Sequence, residues 1–224
     1  MTIQAIILCG GKGERLRPLT NKTPKPMIKI KGKAILDYII EYIFNYGIKK
    51  IIVATGYQSK KIENHINKKY AKYDIQISDS GSVDIIERIK NVSHLIKEDF
   101  ILIYGDTLSN VNIDEIIKFH NSHPGKVTMT VWPFKTQYGL VKVDSNGIIS
   151  SFKEKPKLDD WINIGYFYIE NEILSLMNKF SKFEIFLEEL IIRGQLNGYK
   201  HTGTHITVNT IKELEEAEKN IHEI

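Results

Sequence analysis

Leu8-Cys9-Gly10-Gly11-Lys12-Gly13-Glu14-Arg15-Leu16 places three glycines in four positions directly after a short apolar run. Glycine lets backbone N–H groups approach an anion closely, and a row of such groups leading into a helix N-terminus binds phosphate. The spacing matches neither common fingerprint: Leu16 stands where a dinucleotide fold would put its third glycine, and no Gly-Lys-Ser/Thr ending follows. On the glycines alone, a tight structural turn explains the segment as well. The next residues add cations. Arg15 and Arg17 precede Pro18-Leu19-Thr20, and Thr23-Pro24-Lys25-Pro26-Met27 follows closely. Pro24 and Pro26 fix the backbone on both sides of Lys25 and hold one ammonium in a set place. A forked guanidinium suits β- and γ-phosphates, while a pinned ammonium suits an α-phosphate or the phosphate of an acceptor.

Metal chemistry has one candidate ligand. Asp106, in Tyr104-Gly105-Asp106-Thr107, follows the β-branched run Phe100 to Tyr104 and so stands at the carboxyl end of a strand, where parallel sheets bind ligands. An aspartate after glycine is also an ordinary turn residue. Asn209, by residue type and place, reads as the cap of a helix beginning at Ile211. The seven histidines show no metal spacing, and Cys9 reads as a small apolar filler.

These residues need a scaffold. Strands are predicted at Gln4 to Leu8, Lys50 to Ala54, Asp74 to Ser78 and Phe100 to Tyr104, with helices at Ala34 to Tyr46, Gln58 to Ala71 and Asn112 to His120 between or after them. That alternation gives β-α units around a parallel sheet. The second half turns to strands at Lys126 to Trp132, Gly139 to Val143, Ile148 to Lys153 and Asn163 to Ile169, with a hairpin turn at Asp144-Ser145-Asn146-Gly147. Helices near Asn171 to Lys179 and Phe183 to Arg193, a last strand at Lys200 to Val208 and a helix from Ile211 to Ile221 close the chain. Both halves are expected to share one sheet.

The run GGKGERLRPLTNKTPKPMIKIKGKAILDY resembles the signature of the sugar-phosphate nucleotidyltransferases, and the likeness continues in order along nearly the whole chain. It implies a Rossmann-like three-layer α/β/α fold with a mixed, mostly parallel sheet. It also implies an enzyme that joins a nucleoside triphosphate to a sugar 1-phosphate, with Mg²⁺ as cofactor and pyrophosphate released. Nucleotide binding would fall to Leu8, Gly10, Gly11, Lys12, Gly13, Glu14, Arg15, Lys25, Asp79, Ser80, Gly105 and Asp106. Glu154-Lys155-Pro156 and Asn163-Ile164-Gly165 resemble the family's acceptor elements. Lys155 would neutralise the sugar phosphate, and Glu154, Asn163, Gly165 and the backbone at Gly139 would contact the sugar. Arg15, Lys25, Asp106 and Lys155 form the implied catalytic set, and Asp106 with Asn209 the metal set. Many members carry aspartate at the position of Asn209, whereas the N-acetylglucosamine 1-phosphate uridylyltransferases have asparagine.

The stretch Ser78 to Arg88 lacks a Pro-Leu-Gly-Thr-Ala-Gly-like base loop and resembles a shortened Asp-Thr-Gly segment of glucose 1-phosphate cytidylyltransferases. Tyr104-Gly105-Asp106 and Ile117-Lys118-Phe119-His120 add to that likeness, so CTP is favoured. Guanylyltransferases for mannose or heptose 1-phosphate share the Gly-Asp and Phe-His features and stay as the alternative. Two others are weighed: a phosphorylated acceptor such as phosphocholine, for which Trp161 and Tyr166 would supply cation–π contact, and a catalytically silent nucleotide-binding subunit, suggested by Asn209.

With 224 residues, 42% hydrophobic, one domain over 1–224 is the simplest expectation. The net charge of +4 comes from scattered lysines, with no basic stripe for nucleic acid. One cysteine, no signal-like N-terminus and no membrane-length apolar run point to a cytoplasmic protein. A homodimer is compatible with the chain, and no β-helix acetyltransferase domain is expected.

Overall fold

The computed structural model describes residues 3–136 and 138–224. Its elements run β1 (Gln4–Cys9), α1 (Leu19–Lys22), β2 (Lys29–Ile30), β3 (Lys33–Ala34), α2 (Ile35–Asn45), β4 (Lys50–Thr55), α3 (Ser59–Lys69), β5 (Asp74–Asp79) and α4 (Ile85–Val92). Then come β6 (Phe100–Tyr104), β7 (Thr107–Ser109), α5 (Ile113–Asn121), β8 (Val127–Lys135), β9 (Leu140–Val143), β10 (Ile149–Lys153) and β11 (Lys157–Ile169). The chain ends with α6 (Leu174–Met177), α7 (Phe183–Ile192), β12 (Leu196–Lys200), β13 (His205–Thr207) and α8 (Ile211–Asn220).

Seven strands form one sheet in the order β12-β8-β11-β6-β1-β4-β5. β1 lies at its centre and is parallel to β4 and β6, which fits a run apolar on both faces. β11 runs antiparallel to both of its neighbours, β6 and β8, so the sheet is mixed and mostly parallel as the resemblance implies. Alternation along β1 sends Ala5, Ile7 and Cys9 to one face and Ile6 to the other. On the first face α2, α3, α5 and α8 pack through residues such as Ile39, Ile62, Ile116 and Ala217. Against the second lie α4, α6 and α7, through Ile89, Met177 and Phe186. The result is the expected α/β/α sandwich. Among the described residues, no helix is long and apolar enough to cross a membrane.

The chain departs from the sequence reading in four places. The predicted last strand is two strands: β12 extends the main sheet beside β8, and β13 pairs separately with β7. Residues 85–92, to which the sequence reading assigned no element, form α4, whose N-terminus is capped by Asp84 accepting from the Ile86 N–H at 3.1 Å. No sustained helix follows the glycines; a 3-10 turn at Glu14–Leu16 and the four residues of α1 stand there instead. The hairpin β9–β10, turned at Asp144–Gly147 as predicted, pairs only with itself among the described residues, so the second half shares the main sheet only in part.

Candidate active site

The glycine loop leaves the carboxyl end of β1, and its shape is held by its flanks. Thr20 Oγ1 donates to the Gly13 carbonyl at 2.9 Å, and the Tyr57 hydroxyl and Gln58 amide both donate to the Thr20 carbonyl at 3.2 Å. Among the described residues, no protein acceptor takes the N–H groups of Gly11, Lys12, Gly13, Glu14 or Arg15. Five donors on an open loop make an anion nest without the help of a long helix.

Asp106 and Asn209 meet because of the small ladder β7–β13. Thr107 stands opposite Thr207, so the residues just before one strand and just after the other fall at the same end. Lys25 reaches them from its 3-10 turn between the prolines, where the Met27 N–H closes on the Pro24 carbonyl at 2.8 Å. Its Nζ donates to Asp106 Oδ2 at 2.6 Å and to Asn209 Oδ1 at 2.8 Å. Arg15 donates to the same Asn209 oxygen at 2.9 Å. The helix-capping alternative for Asn209 does not hold: Thr210 caps α8, its Oγ1 accepting from the Glu213 N–H at 3.2 Å. Asn209 instead turns its side chain to the two cations, while its own N–H donates to Glu213.

Two adjoining cavities share Gly11, Lys25 and Asp106 in their walls. One, of about 520 Å³, is bounded by Lys12, Gly13, Glu14, Arg15, Leu16, Ser82 and Asn209. The other, of about 210 Å³, is bounded by Leu8, Gly10, Gly105, Tyr104, Val83, Ile85 and Arg88. The glycine turn and Asp106 thus converge on one space. Asp79 and Ser80 line neither: Asp79 closes a turn by accepting from the Gly81 N–H and faces a separate depression beside α3. Ser82 and Val83 stand in the walls instead, because the chain rises toward the cavity only as it enters α4.

Arg88 was not foreseen from sequence. It is buried on α4, donating to the carbonyls of Thr55, of Gly81 at 2.9 Å and of Val83 at 3.3 Å. Its guanidinium presses on Gly10 so closely that a Cβ there would lie 1.9 Å from Cζ. Gly10 is therefore required by contact, and Arg88 ties the glycine loop to the 81–83 segment. A helical projection would have found it, since Ile85, Arg88 and Val92 share one face.

The acceptor residues lie in two groups. Gly165, with φ of +77°, lets Tyr104 pass over its backbone, and Asn163 Oδ1 accepts from the Gly165 N–H at 2.8 Å. Since Tyr104 also walls the smaller cavity, this group adjoins that cavity. Glu154, exposed, lies over Gly139 at the hairpin, and Lys155 holds a left-handed backbone with φ of +41°. Neither lines the two cavities. Tyr166 is buried against Tyr42 in the core, and Lys200 stands 4.9 Å above the ring of Trp161. The aromatic pair invoked for a quaternary ammonium does not form. His120 is likewise buried, bonded to Thr128 and Glu170, and belongs to the fold.

Burial pushes the Cys9 thiol well up and the Tyr104 phenol to about 12. Both groups are neutral near pH 7 and unsuited to act as base or nucleophile. Asp106 Oδ2 and Asn209 Oδ1 converge on one cation, which is the donor set Mg²⁺ accepts, with waters and phosphate oxygens completing its shell. No group of three or more His, Cys, Asp or Glu side chains is clustered for a metal among the described residues.

Known proteins resemble this chain along most of its length. The chain is 30% identical to a probable glucose-1-phosphate cytidylyltransferase of Bacillus subtilis, covering 97% of this chain and 95% of that one. It is 31% identical to a D-glycero-alpha-D-manno-heptose 1-phosphate guanylyltransferase of Aneurinibacillus thermoaerophilus, covering 98% of each. Its fold matches the crystal structure of HddC from Yersinia pseudotuberculosis with a TM-score of 0.77 at 22% identity, over 98% of this chain and 100% of that one. The nucleotidyl transferase family pattern matches residues 4–206, and the chain belongs to that family.

Proposed function

We propose that this chain joins a sugar 1-phosphate to a nucleoside triphosphate, with CTP preferred, and releases pyrophosphate. The observation that carries the reading is the single cavity lined by residues 11–15, whose N–H groups have no protein acceptor among the described residues, together with Lys25 and Asp106. The loop donors and Arg15 hold the β- and γ-phosphates, and Lys25 aligns the α-phosphate. Lys155 brings in the acceptor phosphate, Glu154, Asn163, Gly165 and the backbone at Gly139 orient the sugar, and Asp106 with Asn209 would hold Mg²⁺. An acceptor phosphate oxygen then forms its bond to the α-phosphorus while the bond to the β-phosphate oxygen breaks and pyrophosphate leaves with the electron pair. The nucleophile is already an anion, so no general base is required, in keeping with a neutral Cys9 and Tyr104. Catalysis is alignment and charge neutralisation. Bound Mg²⁺ would add Lewis-acid neutralisation of the phosphate oxygens.

CTP is supported by the full-length likeness to a probable cytidylyltransferase and by the Ser78–Arg88 stretch. An equally long likeness to a heptose 1-phosphate guanylyltransferase keeps GTP as the second reading. Every residue assigned comes from one chain, so the reading holds for a monomer or a homodimer, in a cytoplasmic setting where triphosphates abound. The test is a matrix of the four triphosphates against hexose and heptose 1-phosphates and phosphocholine, scored by Mg²⁺-dependent pyrophosphate release. Turnover with CTP and a sugar 1-phosphate is expected. Nucleotide binding with no turnover in any pairing would overturn the reading in favour of a silent binding subunit.

A further inference from the structure

Lys25 Nζ stands between the two oxygens assigned to the metal, 2.6 Å from Asp106 Oδ2 and 2.8 Å from Asn209 Oδ1. Asn209 Oδ1 is engaged a second time by Arg15 at 2.9 Å, which takes up both lone pairs of that carbonyl. Each of these oxygens is thus committed to a cation of the protein itself. The lysine side chain is 9% exposed, and prolines hold its backbone on both sides. An ammonium placed this way leaves only for another anion. A triphosphate in the adjoining nest is such an anion, and Gly11, Lys25 and Asp106 border both cavities.

We propose that the Lys25 ammonium is a placeholder for the divalent cation. In the empty enzyme it keeps Asp106 and Asn209 together and neutralised, and it bars the metal alone. When a triphosphate arrives, its α-phosphate draws the ammonium off the two oxygens and frees them, so metal and nucleotide enter as one complex. This rests on the assignment of Asp106 and Asn209 as metal ligands. It adds that Lys25 sets the order of entry, beyond aligning phosphate.

The experiment is a titration with Mn²⁺, followed by electron paramagnetic resonance of the free ion, without nucleotide and with CTP. Wild type is expected to bind Mn²⁺ weakly alone and tightly with CTP. Lys25→Met is expected to bind Mn²⁺ alone at least about tenfold more tightly, because a contact charge has been removed from the ligand oxygens. Arg15→Met releases one contact on Asn209 but leaves Lys25 on both oxygens, and its effect is expected to stay within about threefold. Asp106 is 36% exposed, so its carboxylate stays hydrated when the lysine is gone, and Lys25→Gln provides a second variant of different shape. Unchanged Mn²⁺ affinity in both Lys25 variants, or an equal gain in Arg15→Met, would overturn the placeholder. Asp106→Asn tests the underlying assignment separately: loss of Mn²⁺ binding in the presence of CTP supports it, and retention at wild-type strength would overturn the metal site itself.

Discussion

Asp106 and Arg88 show how differently two residues of one pocket announce themselves. Asp106 was legible because a carboxylate at the end of a buried strand is a local feature. Asp106→Ala is expected to lower kcat by about 10²-fold or more, measured as pyrophosphate release, with the fold unchanged by circular dichroism. Arg88 was not singled out because the carbonyls of Thr55, Gly81 and Val83 gather around it only once α4 has formed. Truncation in Arg88→Ala leaves buried carbonyls without donors and is expected to cost about 3 kcal/mol in denaturant unfolding. Gly10→Ala is expected to be at least as damaging to activity, since its methyl group would meet the Arg88 guanidinium. Asp79 and Ser80 were assigned to the nucleotide through the resemblance of this stretch to an Asp-Thr-Gly segment, whereas Ser82 and Val83, just before α4, line the cavities.

At the level of elements, the site depends on pairings that sequence separation conceals. Residues 107–109 and 205–207 are far apart in the chain, yet their ladder joins Asp106 to Asn209. The motif around Asn209 was readable, but its conformation was not, because Thr210 one position later is an equally good cap. A second clamp holds α2 to α3 away from the site. Asp37 on α2, nearly buried, accepts from His65 at 2.7 Å, Tyr70 at 2.9 Å and Lys69 at 2.9 Å. Burial alone would raise its carboxyl, but the hydrogen bonds from His65, Lys69 and Tyr70 outweigh that and hold it below its usual value. Asp37→Asn removes the charge these donors serve, and a loss of about 2 kcal/mol in unfolding free energy is expected with kcat unchanged.

The architecture of the whole molecule was the most legible part, since β-α alternation with apolar strands leaves few arrangements other than a layered sheet. What alternation could not convey is the position of β11, whose antiparallel course comes from its partners on either side. Several imidazoles are locked neutral by this packing. Burial pushes His205 from 6.5 down to about 4 and lowers His201 and His120 as well. The unfolded chain takes up protons near pH 6.5 that the folded one refuses. Their contribution to stability is therefore complete above that pH and declines as the solution is acidified toward pH 4. Melting temperature is expected to fall between pH 7 and pH 5, and His205→Gln to show a shallower decline over that interval.

Among the described residues the β9–β10 ribbon has no ladder to the main sheet, and it presents Val141, Val143, Ile149 and Phe152 to solvent. Two strands alone gain little cohesion in water. The ribbon is therefore expected to open more readily than the main sheet, and Glu154, at its end, to move with it. Amides of residues 140–143 and 149–153 should accordingly exchange deuterium well before those of β1 and β6, and a bound sugar phosphate should slow them selectively. The molecule would then grip one substrate on rigid ground and greet the other with a yielding arm.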